Sequence, residues 1–285
     1  MAEAEIRKGV LGMSIYITGD THGAIDIGKL SAKLWKEQKK LTRDDYLIIT
    51  GDFGFPFSAG DVDEKGEPAN GEYRYWLNWL KNKPFTILFV DGNHENHVFW
   101  DAQPVQEWHG GKVQIHPQAD NIIHLMRGEI YEIEGKTFFA FGGAASQDIE
   151  PVYDDFGRCI WKGRKEGESY WQRENASSEE MERAVRNLDA LQERGGYVDV
   201  IVTHTPPCSV VKRMRRKYSE DVTAEFLERI MQHYEYGVWV CGHIHLDAVA
   251  AKDKVAVVCK HIFSLEGITQ LVAECFEEYM EGETS

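Results

Sequence analysis

This sequence lacks several features that would place a chain in a common class. Only five cysteines occur in 285 residues, none of them in a CxxC pair, so neither a dense disulfide framework nor a thiolate zinc site is expected. No apolar run approaches the length of a membrane span. Positive charge is also scarce, because 32 Lys and Arg face 47 Asp and Glu, for a formal net charge of −15. This balance argues against broad electrostatic affinity for nucleic acid or an anionic membrane.

The N-terminal segment and the absence of a linker indicate how the chain is divided. Residues 1–12 are neither apolar nor basic enough for an export signal, and with an odd number of cysteines this predicts reduced thiols in the cytoplasm. Met13 directly precedes an apolar run, so 1–12 is interpreted as an N-terminal extension. Without a Pro/Gly/Ser-rich linker, 13–285 is expected to form one domain. Its irregular part is an insertion around 144–175, where glycines and charges are mixed.

The chain contains five short motifs rich in side chains that commonly coordinate metals. They are Gly19-Asp20-Thr21-His22-Gly23, Gly51-Asp52-Phe53-Gly54, Gly92-Asn93-His94-Glu95, Thr203-His204-Thr205-Pro206 and Gly242-His243-Ile244-His245. Each follows a β-prone apolar run, and these runs are Ile15–Thr18, Tyr46–Thr50, Thr86–Val90, Val198–Val202 and Val238–Val240. Active sites of open α/β sheets lie beyond the carboxyl ends of the strands. The five loops are therefore expected to converge on one point.

The residue types in these motifs suit a metal site. Asp20 and His22 need a turn to face the same ion, and Gly19 and Gly23 would permit it. Asp52 has two carboxylate oxygens and could bridge two cations. Further donors are the amide oxygen of Asn93 and the imidazoles of His204, His243 and His245. Taken singly, such Asp and Asn residues are common in turns; together, the oxygen and nitrogen donors favour Mn, Fe, Zn, Ni or Co over Ca.

In this order, the motifs resemble those of the calcineurin-like metallophosphoesterases, a superfamily of binuclear metal enzymes that hydrolyse phosphoesters. The resemblance runs from about Ile15 to His245. Two further segments, Phe141–Asp148 and Tyr170–Glu174, resemble a bacterial and phage-type subgroup. The implied fold is α/β: a four-layer α-β-β-α sandwich of two mixed β-sheets flanked by helices.

The resemblance also implies a ligand set and a mechanism. One metal would take Asp20, His22 and His245, the other Asn93, His204 and His243, with Asp52 between them. The cofactors would be two divalent or trivalent transition metal ions, with Mn first and Fe, Zn, Ni or Co as alternatives. A metal-activated hydroxide would attack phosphorus in line. His94 would face the substrate as general acid or phosphate ligand, whereas Glu95 would fix the loop geometry.

Two departures bear on the substrate. Protein Ser/Thr phosphatases of this superfamily follow the bridging Asp with an Asp-Arg-Gly motif, where this chain has Phe53–Phe57. The arginine after Asn-His-Glu is also missing, since Asn96–Phe99 follows. Phe53, Phe55 and Phe57 are instead expected to form an apolar wall beside the site.

The expected function is therefore hydrolysis of a small phosphorylated substrate, a phosphomonoester or a phosphodiester. The alternatives are a nucleotide or dinucleoside-polyphosphate hydrolase, a nuclease, a protein phosphatase, and a non-catalytic scaffold on the same fold. No nucleic-acid or membrane partner is expected, and the sequence does not indicate an oligomeric state.

Several other residues have two interpretations on the sequence alone. His97 and His124 are expected at surface or satisfied core positions; Asp148, Arg158 and Glu174 could line a pocket or lie in a surface loop. The basic run Lys212–Lys217 would be a solvated helix face or an electropositive rim near the site.

Helices are predicted at 26–40 (with Ile27, Leu30, Leu34 and Trp35 inward), Tyr73–Lys81, from Ser177 to about Gly195, and 222–234. Further strands are predicted at 112–116, 122–125, 129–134 and 136–141, and as short strands across 247–272.

Overall fold

A computed structural model describes residues 12–215 and 221–283 of the chain. Most of the predicted N-terminal extension, residues 1–11, lies outside these ranges.

The first of two large sheets is mixed, with β1, β2, β3 and β6 parallel and the other strands antiparallel to their neighbours. Its strands are β1 (Ile15–Thr18), β2 (Tyr46–Ile49), β3 (Thr86–Phe89), β4 (Val105–Trp108), β5 (Gly111–His116), β6 (Ala119–Leu125) and β15 (Phe263–Ser264), in the spatial order β15-β1-β2-β3-β6-β5-β4.

The second sheet is also mixed, with β8, β11, β12 and β14 parallel. Its strands are β7 (Glu129–Ile133), β8 (Lys136–Phe141), β11 (Val198–Thr203), β12 (Tyr236–Cys241), β13 (Ala248–Ala250) and β14 (Val255–Val257), in the order β13-β14-β12-β11-β8-β7. A small hairpin in the insertion is formed by β9 (Val152–Tyr153) and β10 (Cys159–Trp161).

Helices and 3-10 turns connect and cover the sheets. The helices are α1 (Gly71–Lys81), α2 (His97–Asp101), α3 (Ser178–Glu193), α4 (Cys208–Met214), α5 (Val222–His233) and α6 (Leu265–Glu283). The 3-10 turns are Ile27–Leu30, Glu37–Lys40, Ala59–Asp61, Gln172–Glu174 and Ala251–Asp253. α3 begins as predicted, because Ser177 N donates to Glu180 Oε2 at 2.8 Å and Glu180 N donates to Ser177 Oγ at 3.3 Å.

The central strands are buried on both faces, which explains their uninterrupted apolar sequences. In β2, Tyr46 and Ile48 belong to the core between the sheets, whereas Leu47 and Ile49 pack in a second core with side chains of α1 and α2. The second sheet repeats this arrangement, with its outer face packed against residues of α3, α4 and α5. Helix, sheet, sheet and helix layers thus form the expected four-layer α-β-β-α sandwich.

The register of the parallel strands determines where the motifs lie. Ile17 pairs with Ile48, which pairs with Leu88, so β1, β2 and β3 end at one edge of the first sheet. In the second sheet, Val202 of β11 pairs with Val240 of β12. All five motif loops therefore leave the carboxyl ends of parallel strands, as the sequence predicted.

The predicted helix over 26–40 is wrong. The segment forms two short 3-10 turns, Ile27–Leu30 and Glu37–Lys40, and Leu34, predicted to point inward, is 69% exposed. The Gln38 side-chain amide donates to Leu30 O at 3.0 Å and to Trp35 O at 2.8 Å. A side chain thus satisfies carbonyls that a continuous helix would have paired through its backbone.

The tail was predicted only in part. Short strands β13, β14 and β15 lie within 247–272 as expected, but Leu265–Glu283 forms helix α6. Leu265, Ile268 and Val272 recur at helical spacing and pack into the core between the sheets. The predicted alternation of apolar and polar residues was therefore the wrong period for this segment.

Candidate metal centre

The five motif loops meet where the two sheets adjoin. Donor atoms of one group, Asp20, His22, Asp52 and His245, all lie within 4.8 Å of one another. The same is true of a second group, Asp52, His204 and His243. Asn93 Oδ1 lies 3.2 Å from His204 Nε2, beside the second group. All seven predicted ligands are thus brought together in the division that the resemblance implied; that they bind metal stays a prediction.

Motif glycines make room for the candidate ligands of other motifs. A Cβ atom on Gly92 would lie 2.1 Å from Asp52 Oδ1, and one on Gly242 would lie 2.6 Å from Asp20 Oδ2. A Cβ atom on Gly51 would lie 2.2 Å from His204 Nδ1. Any larger residue at these positions would displace a candidate ligand.

The turn around Asp20 differs in detail from the prediction. Asp20 and His22 themselves adopt left-handed backbone angles, with φ of 38° and 46°, and Gly23 follows at 59°. Gly19 is not in this region; a Cβ atom there would lie 2.1 Å from the carbonyl oxygen of Val258. Gly19 is therefore needed for close packing of two loops, not for the turn.

Hydrogen bonds orient two of the imidazoles. His204 Nδ1 lies 2.8 Å from Thr50 O; since a carbonyl oxygen only accepts, Nδ1–H donates and Nε2 faces Asp52 Oδ1 at 3.2 Å. His22 Nδ1 lies 2.9 Å from Asp26 Oδ2, and its Nε2 lies 3.4 Å from Asp52 Oδ2. Histidine ligands of metals are typically held in this way by a hydrogen bond at the other ring nitrogen.

Burial and mutual charge shift the pKa values of the cluster strongly. Burial raises the pKa of Asp20 to about 7, and nearby Asp52 adds to the rise. Burial opposes ionisation of Asp52 too, but the charges of His204 and His94 hold the pKa of that carboxyl well below its usual value. Although burial favours a neutral imidazole, Asp52 raises the pKa of His204 to about 10. Protonation of His204 thus compensates the charge of the buried Asp52 carboxylate.

The donor set fits a transition metal. It comprises two buried carboxylates, an amide oxygen and imidazole nitrogens, and neither group within the described ranges includes a thiolate. Mixed oxygen and nitrogen ligands of this kind suit Mn, Fe, Zn, Ni or Co. The structure thus contains a candidate metal-binding cluster.

His94 lies beside the cluster and not within it. Its backbone N donates to Asp52 Oδ1 at 2.8 Å, and its ring Nε2 lies 3.8 Å from Asp52 Oδ2. The side chain is 22% exposed, so it borders both the cluster and solvent. Burial lowers the pKa of His94 to about 4; Arg164 contributes to the lowering against the opposing charge of Asp52. This position suits a group that contacts the substrate.

Glu95 has the structural role that was predicted. Its fully buried carboxylate accepts hydrogen bonds from Phe53 N at 2.7 Å and Gly54 N at 2.9 Å. These bonds fix the backbone just after Asp52 to the loop that carries Asn93.

The predicted aromatic wall is mostly wrong. Phe53 and Phe55 are buried in the core beneath the first sheet, where they pack with Phe89 and Tyr73. Phe57 alone of the three contacts the site, with its ring centre 5.3 Å from that of His94. Apolar residues that follow a strand end can turn back into the core, and these two do so.

The insertion brings Asp148 and Glu174 next to the site, which was one of their two interpretations, together with residues that sequence reasoning did not place there. Arg164, not singled out at all, has Nη2 at 3.2 Å from His94 Nε2 and pairs with Asp148. Asn93 Nδ2 donates to Ser146 Oγ at 3.1 Å, and Ser146 N donates to the buried carboxylate of Glu174 at 3.2 Å. Burial raises the pKa of Glu174 to about 7.

Arg158 and His124 follow the plainer interpretations, whereas His97 lies in the core but is not fully satisfied there. Arg158 is 75% exposed and pairs with Asp154, so it is a surface residue. His124 is buried and bonded to Asp91 and Gln114, and His97 is buried near Asp91 without a hydrogen-bond partner at Nε2.

The basic run is divided by the structure. Lys212 and Arg213 lie in the last turn of α4, and Arg213 pairs with Asp253. Burial is the main cause of the lowered pKa values of His243 and His245, and the positive charge of Arg215 contributes to both shifts. Arg215 thus acts on the candidate ligands electrostatically, which supports the interpretation of this part of the run as an electropositive rim. Residues 216 and 217 of the run lie outside the described ranges.

Comparisons with known proteins agree with this geometry. The family model for calcineurin-like phosphoesterases matches residues 13–247. A lariat debranching enzyme of Schizosaccharomyces pombe is 25% identical over 82% of this chain and 48% of its own length. Lariat debranching enzyme A of Xenopus laevis is 22% identical over 84% and 44%. The chain thus spans about half the length of these curated relatives.

Solved structures give more distant matches. The sulfate thiohydrolase SoxB of Thermus thermophilus has a TM-score of 0.42 and 9% identity, over 96% of this chain and 61% of that one. The NAD nucleotidase of Haemophilus influenzae has a TM-score of 0.36 and 13% identity, over 88% and 42%.

No helix in the described ranges is both long enough and apolar enough to cross a membrane.

The match to the family model extends over most of the chain and includes all five motifs. This protein therefore belongs to the calcineurin-like phosphoesterase family.

Proposed function

We propose that this protein hydrolyses a small phosphorylated substrate, a monoester or a diester, with two transition metal ions held by the cluster. The observation that carries the proposal is the convergence of seven donor side chains from five loops into two groups that share Asp52. Asp20, His22 and His245 would hold one ion, and Asn93, His204 and His243 the other. When bound, such ions lower the pKa of a coordinated water and balance charge on phosphoryl oxygens.

The residues of the chain would position the reacting groups. Asp52 holds the backbone N of His94 at 2.8 Å, so the position of His94 is tied to the carboxylate between the two groups. In the free protein the lowered pKa of His94 keeps its imidazole neutral. A phosphoryl anion beside the ring would favour the protonated form, which could then give a proton to the leaving oxygen.

A metal-reconstitution experiment tests this proposal. Metal-stripped protein should hydrolyse neither p-nitrophenyl phosphate nor its bis-ester, and Mn²⁺ should restore turnover of at least one. Asp52→Asn should remove the restored activity and reduce bound metal. His94→Asn should keep the metal and lower kcat by about 10²–10⁴-fold, whereas His233→Asn, at the exposed end of α5, should match the wild type.

The alternatives predict different results. Bound metal without turnover of either ester would contradict the proposal and favour a scaffold. A preparation that binds no metal under any condition would exclude the metal-dependent mechanism altogether.

A second candidate is a phosphodiesterase that acts on branched nucleic acid, because two of the relatives are named lariat debranching enzymes. The net charge of −15 weighs against it. Cleavage of a branched oligoribonucleotide with a kcat/KM far above that for the bis-ester would favour this candidate over a small substrate.

A further inference from the structure

The insertion between β8 and α3 brings an arginine to the edge of the metal centre. Arg164 Nη2 lies 3.2 Å from His94 Nε2, and Arg164 Cζ lies 5.9 Å from the centre of the Phe57 ring. The Arg164 side chain is only 9% exposed, although most residues around it in the sequence are exposed. A guanidinium withdrawn from water in this way needs partners that compensate its charge.

Asp148 fixes the direction of the guanidinium. Arg164 Nε donates to Asp148 Oδ1 at 2.5 Å, and Nη2 donates to Oδ2 at 2.8 Å, which is a bidentate pair. Arg164 Nη1 donates to Ser169 O at 3.2 Å. Trp161 Nε1 of β10 donates to Asp148 O at 2.8 Å, so the hairpin in turn holds the backbone of Asp148. The second Nη2–H is therefore directed at His94.

The motif loops do not themselves provide this kind of group. No arginine occurs in Phe53–Phe57 or in Asn96–Phe99, the two segments that follow the second and third motifs. Phosphoryl transfer concentrates negative charge on the non-bridging oxygens, and the planar fork of arginine matches such oxygens better than a lysine ammonium does.

We propose that Arg164 binds a non-bridging phosphoryl oxygen of the substrate, with Asp148 as its positioning residue. This inference rests on the proposed function, because it places the phosphoryl group beside His94 and the cluster. The Nη2–H that now meets His94 Nε2 would donate to the phosphoryl oxygen. His94 Nε2 would then be available to exchange a proton with the leaving group.

Binding of inorganic phosphate to Mn²⁺-reconstituted protein, measured by calorimetry, tests the proposal without requiring turnover. Arg164→Met should raise the phosphate Kd by about 10–100-fold, the range for a hydrogen bond to a charged group, and leave bound metal unchanged. Arg164→Lys, which keeps the charge but not the fork, should recover part of the affinity. Arg158→Met removes an exposed arginine of the same insertion and should leave the Kd unchanged.

The positioning residue has its own readout. Asp148→Asn retains one acceptor and should raise the phosphate Kd by about 3–10-fold. It should also raise KM more than it lowers kcat. A residue that only stabilised the insertion would lower Tm without this split.

The results of these binding and activity measurements separate the role of Arg164 from the proposed hydrolytic function. Wild-type affinity for phosphate in Arg164→Met would overturn the role of Arg164, and so would wild-type protein that binds no phosphate. Phosphate binding that depends on Arg164 in a protein that hydrolyses neither ester would support this inference and contradict the proposed function. If Arg164→Met fails to fold by circular dichroism, Arg164→Lys provides the decision, since wild-type affinity in that variant would exclude recognition by the fork.

Discussion

At the residue scale, most candidate ligands have a backbone conformation that L-residues avoid. Five of the seven have positive φ between 38° and 65°: Asp20, His22, Asp52, His243 and His245. A left-handed conformation costs about 1–2 kcal/mol per residue, so the surrounding structure must enforce it. His22 N donates to Asp52 O at 2.8 Å, and His243 N donates to Asp20 Oδ1 at 3.1 Å. The loops thus hold one another in a strained arrangement that directs the ligands inward.

The strain at His245 can be measured with a pair of variants. This residue has φ of 54°, and its side chain is 52% exposed, so truncation removes little packing. His245→Gly should be about 1 kcal/mol more stable than His245→Ala in metal-free protein, because glycine accepts positive φ without the Cβ penalty. Urea unfolding in EDTA would show the difference. Equal stability of the two variants would mean that the loop relaxes and stores no strain at this position.

At the scale of elements, Lys83 links the end of α1 to the 3-10 turns that replaced the predicted helix. Its Nζ donates to Leu30 O at 2.5 Å and to Gln38 Oε1 at 3.2 Å, and it lies 3.4 Å from the centre of the Trp79 ring. The residue is only 6% exposed. Burial lowers the pKa of Lys83 from 10.5 to about 8, since its partners are neutral.

This buried lysine predicts a specific dependence of stability on pH. The folded protein releases the Lys83 proton at a lower pH than the unfolded chain does. Between about pH 8 and 10.5 the unfolded state therefore binds more protons at this residue, and its contribution to stability rises with pH. The free energy of unfolding of wild type relative to Lys83→Met should rise across this window, as measured by urea unfolding at fixed pH values. A flat difference would show that the lysine keeps its ordinary pKa in the fold.

The sequence predicted the strands and their loops well, because each central strand is a short apolar run that ends in a polar, glycine-containing motif. It failed where tertiary contacts decide the local structure. In 26–40, side-chain donors such as that of Gln38 satisfy carbonyls and favour turns. Arg164 could not be found for a related reason: it lies 70 residues beyond His94 in the chain, in an irregular segment whose packing no periodicity indicates.

At the scale of the whole molecule, the candidate metal centre joins the two sheets. Asp20, Asp52 and Asn93 extend from the first sheet, whereas His204 and His243 extend from the second. A cation bound by both sets requires the sheets to be packed, so metal binding should favour the native state over the unfolded one. This arrangement links occupancy of the site to the stability of the entire fold.

Thermal unfolding should therefore depend on metal. At free Mn²⁺ about 100-fold above its Kd, linkage contributes about 2.7 kcal/mol per site, and a domain of this size should gain about 5–10 °C in Tm for each occupied site over the EDTA-treated protein. Asp52→Asn should lose most of this gain, because both ligand groups include Asp52; His233→Asn should retain it. Lowering the pH should weaken the gain, because the raised pKa values of Asp20 and His204 mean that protons compete with the cation. The same Tm with Mn²⁺ and with EDTA, at neutral pH and saturating metal, would show that the cluster does not bind this ion in the folded protein.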